Sequence, residues 1–116
     1  MSKQCALTRV PLHNLRGFFL LFTERAGVLR ALRPYEKDEL AQGVHFNCPK
    51  CTHDSAKAHG VTLLFDLQSV PPNANPPGRH NPQKFPCKLY ELHLGEVKSL
   101  ECDWHGWVVG GEVVWK

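Results

Sequence analysis

Cys48-Pro49-Lys50-Cys51 and Cys102-Asp103-Trp104-His105 are the stretches of this chain best suited to chemistry. The first is a C-x₂-C pair and the second a C-x₂-H pair. Tetrahedral zinc takes four such thiolate and imidazole donors at about 2.0–2.3 Å, and a two-residue spacer lets the chain turn back so that both members of a pair reach one ion. Pro49 pre-sets φ at the first turn. Gly106 can supply the left-handed residue that closes the second. The expected ligands are therefore Cys48, Cys51, Cys102 and His105, holding Zn(2+) rather than iron because a mixed thiolate–imidazole set favours zinc. Three thiolates and one imidazole leave no open coordination position, which predicts a structural ion and no catalysis. With 50 residues between Cys51 and Cys102, binding energy at such a site goes into folding.

Other readings of the same residues are weaker. A thioredoxin-like redox pair at Cys48 and Cys51 would open a helix in a βαβ unit, and no amphipathic helix follows Thr52-His53. Cys87 is the first substitute for His105 as fourth ligand. His53 lies very close to Cys51 for the same ion, and His45 would need its strand to fold back. His45, His59, His80 and His93 accompany no nucleophile–base–acid pattern and read as scattered surface histidines. No glycine-rich phosphate loop is present, since Gly110-Gly111 does not precede a helix.

The elements that must position these ligands are short and mostly extended, giving an α+β, mostly-β fold class: small antiparallel hairpins, one short helix and a zinc-ribbon-like site. Residues 15–22 form a short apolar run rich in aromatics, read as a buried strand, with residues 28–33 as hairpin partner. Pro34 followed by acids and closed by Gly43 predicts a short helix over residues 34–42. Residues 44–47 and 97–101 lead as strands into the two knuckles, and residues 61–67 form another strand. Residues 88–94 alternate, with Leu89, Glu91 and His93 opposite Tyr90, Leu92 and Leu94, which predicts a half-buried strand. Trp107-Val108-Val109 and Glu112-Val113-Val114-Trp115 flank Gly110-Gly111, a two-residue hairpin loop. Its register sets Val109 against Glu112, Val108 against Val113 and Gly106 against Trp115, with the Trp115 ring covering Gly106. Between residues 69 and 87 stand six prolines, too many for a central ladder. That predicts a long loop, carrying Arg79, His80 and Lys84.

The whole chain is 116 residues with 42% hydrophobic and 22% charged residues, which fits one domain, residues 1–116, and excludes a wholly disordered chain. The longest apolar run, residues 18–22, is far short of the ~20 residues of a bilayer span, so no membrane partner is expected. Nothing near residue 1 reads as a secretion signal, and five cysteines in such a chain point to reducing cytoplasm. The formal charge is only +3. Residues 1–33, however, hold six bases against one acid. Arg16, Arg25, Arg30 and Arg33, with Arg79, His80 and Lys84, form the candidate binding surface.

The residues around the two knuckles resemble a known pattern. Residues 44–51 (Val-His-Phe-Asn-Cys-Pro-Lys-Cys), with Cys102-Asp103-Trp104-His105-Gly106-Trp107-Val108 and Gly111-Glu112-Val113, are similar to a family of small phage and prophage proteins. That family shares a hydrophobic-F-x-C-P-x-C segment and a C-x-W-H-G-F/W-V-x-x-G-E-V ending. The similarity covers residues 40–67 and 98–114, and the ending is its more specific part. It implies a metal-binding β-rich fold and no activity, because the family is itself functionally undefined. The function expected on this basis is a phage-encoded zinc protein in the host cytoplasm that binds a host or phage protein, such as a defence component. The alternative is a nucleic-acid-binding zinc ribbon using Arg16, Arg25, Arg30 and Arg33, with Trp104 and Trp107 as stacking platforms. A small-molecule substrate is not expected.

Overall fold

In a computed structural model the chain is described over residues 7–23, 25, 27–52 and 56–116. Two four-stranded antiparallel sheets make up the fold. In the first, β1 (Thr8–Pro11), β8 (Glu112–Trp115), β7 (His105–Val109) and β6 (Gly95–Lys98) lie side by side in that order. The second runs β3 (Leu29–Ala31), β2 (Phe18–Phe22), β4 (Gly43–Asn47), β5 (Gly60–Leu64). One hydrophobic cluster joins them: Phe19, Val44, Phe46, Val61, Leu63 and Phe65 from the second sheet meet Val97, Val108 and Val113 from the first. Among the described residues no helix is long and apolar enough to cross a membrane.

The expected mostly-β architecture is present, with the helix as the main departure. Residues 34–42 contain only a 3-10 turn at Asp38–Leu40. The sheet explains this, because Leu32 donates its amide to Phe19 and Gln42 donates its amide to Leu20. Both ends of the segment are thereby held to β2, and Lys37 and Ala41 are extended (ψ 139° and 136°). Gln42 adds a buried polar stitch: its Oε1 accepts from the Phe22 amide at 2.8 Å and its Nε2 donates to the Ser69 carbonyl at 2.7 Å.

Residues 88–94 are likewise not a strand. A 3-10 turn occupies Leu89–Glu91, and the segment crosses the tip of the β7–β8 hairpin, giving single hydrogen bonds through the Leu92 carbonyl and the Leu94 amide. The pairing strand starts later, at Gly95. A strand also appears where none was expected. Thr8–Pro11 pairs with β8 in the register Arg9 to Val114 and Pro11 to Glu112. Proline suits this position because β1 is an edge strand and needs no donor on its outer side.

The terminal hairpin has the predicted register, with Val109 opposite Glu112 and Val108 opposite Val113. The space at Gly106 is filled differently from expectation. A Cβ there would lie 2.4 Å from the Val114 carbonyl oxygen and 2.8 Å from Cζ2 of Trp104. The buried Trp104 ring, more than that of Trp115, occupies the gap. At the turn, Gly110 and Gly111 have φ of 55° and 78°. Only Gly111 is also crowded, since a Cβ would meet the Tyr90 carbonyl oxygen at 2.2 Å.

This contrast is testable. Gly110→Ala should cost about 1–2 kcal/mol, the left-handed backbone alone. Gly111→Ala should cost more, about 2–4 kcal/mol, by adding a clash with backbone. Chemical denaturation of both variants checks the difference, and equal losses would contradict the packing described.

Candidate metal centre

Three of the four expected ligands come together, and the fourth is a different histidine. Sγ of Cys48, Cys51 and Cys102 and one ring nitrogen of His59 all lie within 4.8 Å of one another. Cys48 follows β4 directly, Cys51 closes the turn after it, and His59 is the last residue before β5. The Cys48 amide donates to the His59 carbonyl at 3.0 Å, so these two face each other across the ladder. Cys102 arrives from the opposite sheet, in the turn between β6 and β7. The Sγ atoms of Cys48 and Cys102 are 3.6 Å apart, close to the ~3.7 Å edge of a tetrahedron with metal–sulfur bonds of about 2.3 Å.

The state of His59 supports a metal. Its Nδ1 lies 3.1 Å from the Gly60 carbonyl oxygen and 3.4 Å from Oε2 of Glu101. A donor at Nδ1 leaves the lone pair on Nε2, and that Nε2 is buried with no hydrogen-bond partner among the described residues. Carbonyl and carboxylate partners on the far nitrogen are the usual supports of a metal-bound imidazole. The hydrogen bond to Gly60 pushes the His59 pKa up.

Without an ion the thiols divide. Burial pushes Cys48 up. Burial would also raise Cys102, but the Trp104 amide on its sulfur and the nearby Ser99, His59 and Cys48 side chains outweigh it and bring it down. Outside the cluster, the Lys50 ammonium pairs with the Asp103 carboxylate, tying the two knuckles together. Three thiolates around a divalent ion sum to −1, and a nearby ammonium offsets that charge.

His105 does not join the cluster. It projects from β7 on the exposed side, with Nε2 3.7 Å from Oε2 of Glu96 and its ring 5.5 Å from that of Trp107. The C-x₂-H spacing misleads because β7 begins at His105 itself. The strand pleat then turns its side chain away, while Trp104 goes inward. Cys87 is also elsewhere, in an open cavity beside Asp38 and Lys88. His53 lies outside the described residues. From the sequence His59 reads as a scattered surface histidine: a hairpin closed on residues 44–47 and 61–67 would set Gly60 against Cys48, and only the observed register sets His59 there.

The candidate basic surface is partly committed to internal contacts. Arg30 makes a bidentate pair with Glu36 at 2.6 and 2.8 Å. Arg79 points into the proline-rich loop, where its guanidinium donates to the carbonyls of Pro71, Pro72, Ala74, Pro76 and Gly78. Arg33 donates to the Tyr35 hydroxyl. His80 pairs by backbone with β5, its Nδ1 buried without a partner. Arg16, Arg25 and Lys84 are exposed. Trp104 is only 4% exposed, packed against Phe46 and Trp115, and cannot stack on a base.

The fold and site define a mostly-β protein with a three-cysteine, one-histidine cluster that could hold a metal ion. Comparison of the chain with family models, curated proteins and solved structures gave no match.

Two predictions separate the histidines and locate the acid sensitivity. His59→Ala should weaken metal affinity on the order of 100-fold, one ligand's share of the total, whereas His105→Ala should leave it unchanged; competition with a chromogenic chelator measures both. Glu36 is held down to about 2, first by the Arg30 hydrogen bond and then by the Arg33 amide. A depressed carboxylate stabilises the fold above its unfolded pKa and loses that contribution as pH falls. Stability should therefore decline between about 4.5 and about 2, and Glu36→Gln should flatten that limb of the profile.

Proposed function

We propose that the chain is a zinc-stabilised binding protein, with Zn(2+) held by Cys48, Cys51, His59 and Cys102. The observation that carries this is the buried Nε2 of His59, which has no hydrogen-bond partner among the described residues, on a side chain clustered within 4.8 Å of three sulfurs. Four protein donors complete a tetrahedron, so the ion serves structure and substrate has no position on it. What remains for such a small β protein is to present a surface. The motif resemblance to phage and prophage proteins supports a phage-encoded protein acting on a host or phage protein. The nucleic-acid alternative draws little support, because Trp104 is buried and Arg30 and Arg33 are held by Glu36 and Tyr35.

Elemental analysis of protein purified from cells is the test. About one equivalent of zinc is expected, with cooperative unfolding on chelation. Less than about half an equivalent with the fold retained would refute the reading.

A further inference from the structure

The sheet edge at β5 carries unpaired backbone groups that border a cleft. The register of β4 and β5 places Phe46 opposite Val61, Val44 opposite Leu63 and His45 opposite Thr62. Hydrogen bonds from Cys48 to His59 and from Phe65 to Gln42 set the phase of the ladder. His59, Val61, Leu63 and Phe65 turn their amides and carbonyls toward β4. Gly60, Thr62 and Leu64 turn theirs outward. The outer side is already used as a strand-pairing edge at one end: His80 donates to the Leu64 carbonyl at 3.0 Å and accepts from Asp66 at 2.7 Å, in parallel. The pairing stops there because Arg79, the next residue back, is drawn into its own loop. Among the described residues nothing pairs with the amide or carbonyl of Thr62.

Beside this open stretch lies a cavity of about 340 Å³, lined by Val61, Thr62, Pro76, Lys98 and Leu100 among others. Leu100 is 63% exposed. Two charged side chains border it: the Glu101 carboxylate, at its His59 end and 66% exposed, and Lys98, which is exposed and has no ion-pair partner among the described residues. The cleft thus offers the amide and carbonyl of Thr62, an apolar seat and the unpaired Lys98 ammonium.

We propose that an extended segment of a partner protein adds to the β5 edge at Thr62, with an apolar side chain seated against Leu100 and Pro76 and a neighbouring carboxylate on Lys98. This mode takes affinity from main-chain hydrogen bonds and selectivity from alternate side chains. It rests on the reading of the chain as a binding protein and names where that partner docks.

The test uses the zinc-loaded full chain to select from displayed random dodecapeptides, with zinc content measured alongside. Peptides with an apolar residue next to Asp or Glu should be enriched. Thr62→Pro removes an amide that no strand of the fold uses, so it should leave folding and zinc content intact while weakening the selected peptides at least about tenfold. Lys98→Glu should shift selection toward basic neighbours. Failure to enrich any peptide, or binding that survives Thr62→Pro, overturns the proposal. So does a dimer by sedimentation that Thr62→Pro dissolves, because the edge would then belong to a second copy. A low zinc content with the fold retained would count against the metal reading alone, since the edge readouts need the folded sheet and not the ion.

Discussion

The hydrogen bond from the Cys48 amide to the His59 carbonyl is the constraint from which the rest of the structure follows. It sets the register of β4 against β5. Directly opposite residues in an antiparallel pair share a face and bring their Cβ atoms within about 4.5–5.5 Å. One pairing therefore aims both side chains at a common point. The same alternation sends Val44 and Phe46 into the core. A slip of one residue would turn all of them to the opposite face. The cysteine–histidine cluster and the hydrophobic core are thus specified by a single choice of register.

The first sheet is drawn to that point by the packing of Trp104 as much as by Cys102. Trp104 lies two residues after Cys102 and meets Phe46 edge-on at 6.1 Å and Trp115 at 6.3 Å. Its ring needs the missing side chain of Gly106. Outside, Lys50 and Asp103 pair between the two knuckles. Sulfur, indole and ion pair therefore lie in successive layers where the sheets meet. At the far end Leu12 donates to the Gly111 carbonyl and Gly111 donates to the Leu92 carbonyl, while the Leu12 and Leu92 side chains are buried in the shared core.

How much of this could be read in the sequence depended on whether a feature is local. The terminal hairpin was legible because Gly110-Gly111 and the flanking valines decide it within nine residues. The C-x₂-C pair was legible for the same reason. His59 was not, because its role comes from a pairing partner eleven residues away and not from a spacing motif. His105 was misread because the motif said nothing about where β7 starts. The alternation of residues 88–94 matched a strand, yet they cross the tip of a hairpin and have no ladder to join. Residues 34–42 carry good helix-start chemistry, and two sheet hydrogen bonds overrode it.

The charges teach a related point about function. Counting arginines in the sequence points to the N-terminal third and to the proline-rich loop. The structure shows that a guanidinium can be densely placed and still unavailable: Arg79 donates to five carbonyls of its own loop, and both terminal nitrogens of Arg30 are on Glu36. A loop so rich in proline has few amides with which to pair its carbonyls, and one arginine with several donors meets that need. The same inward pull ends the pairing of residue 80 with β5. Loop closure by Arg79 and the exposure of Thr62 are in this sense one event, and the edge stands open because the loop beside it is closed.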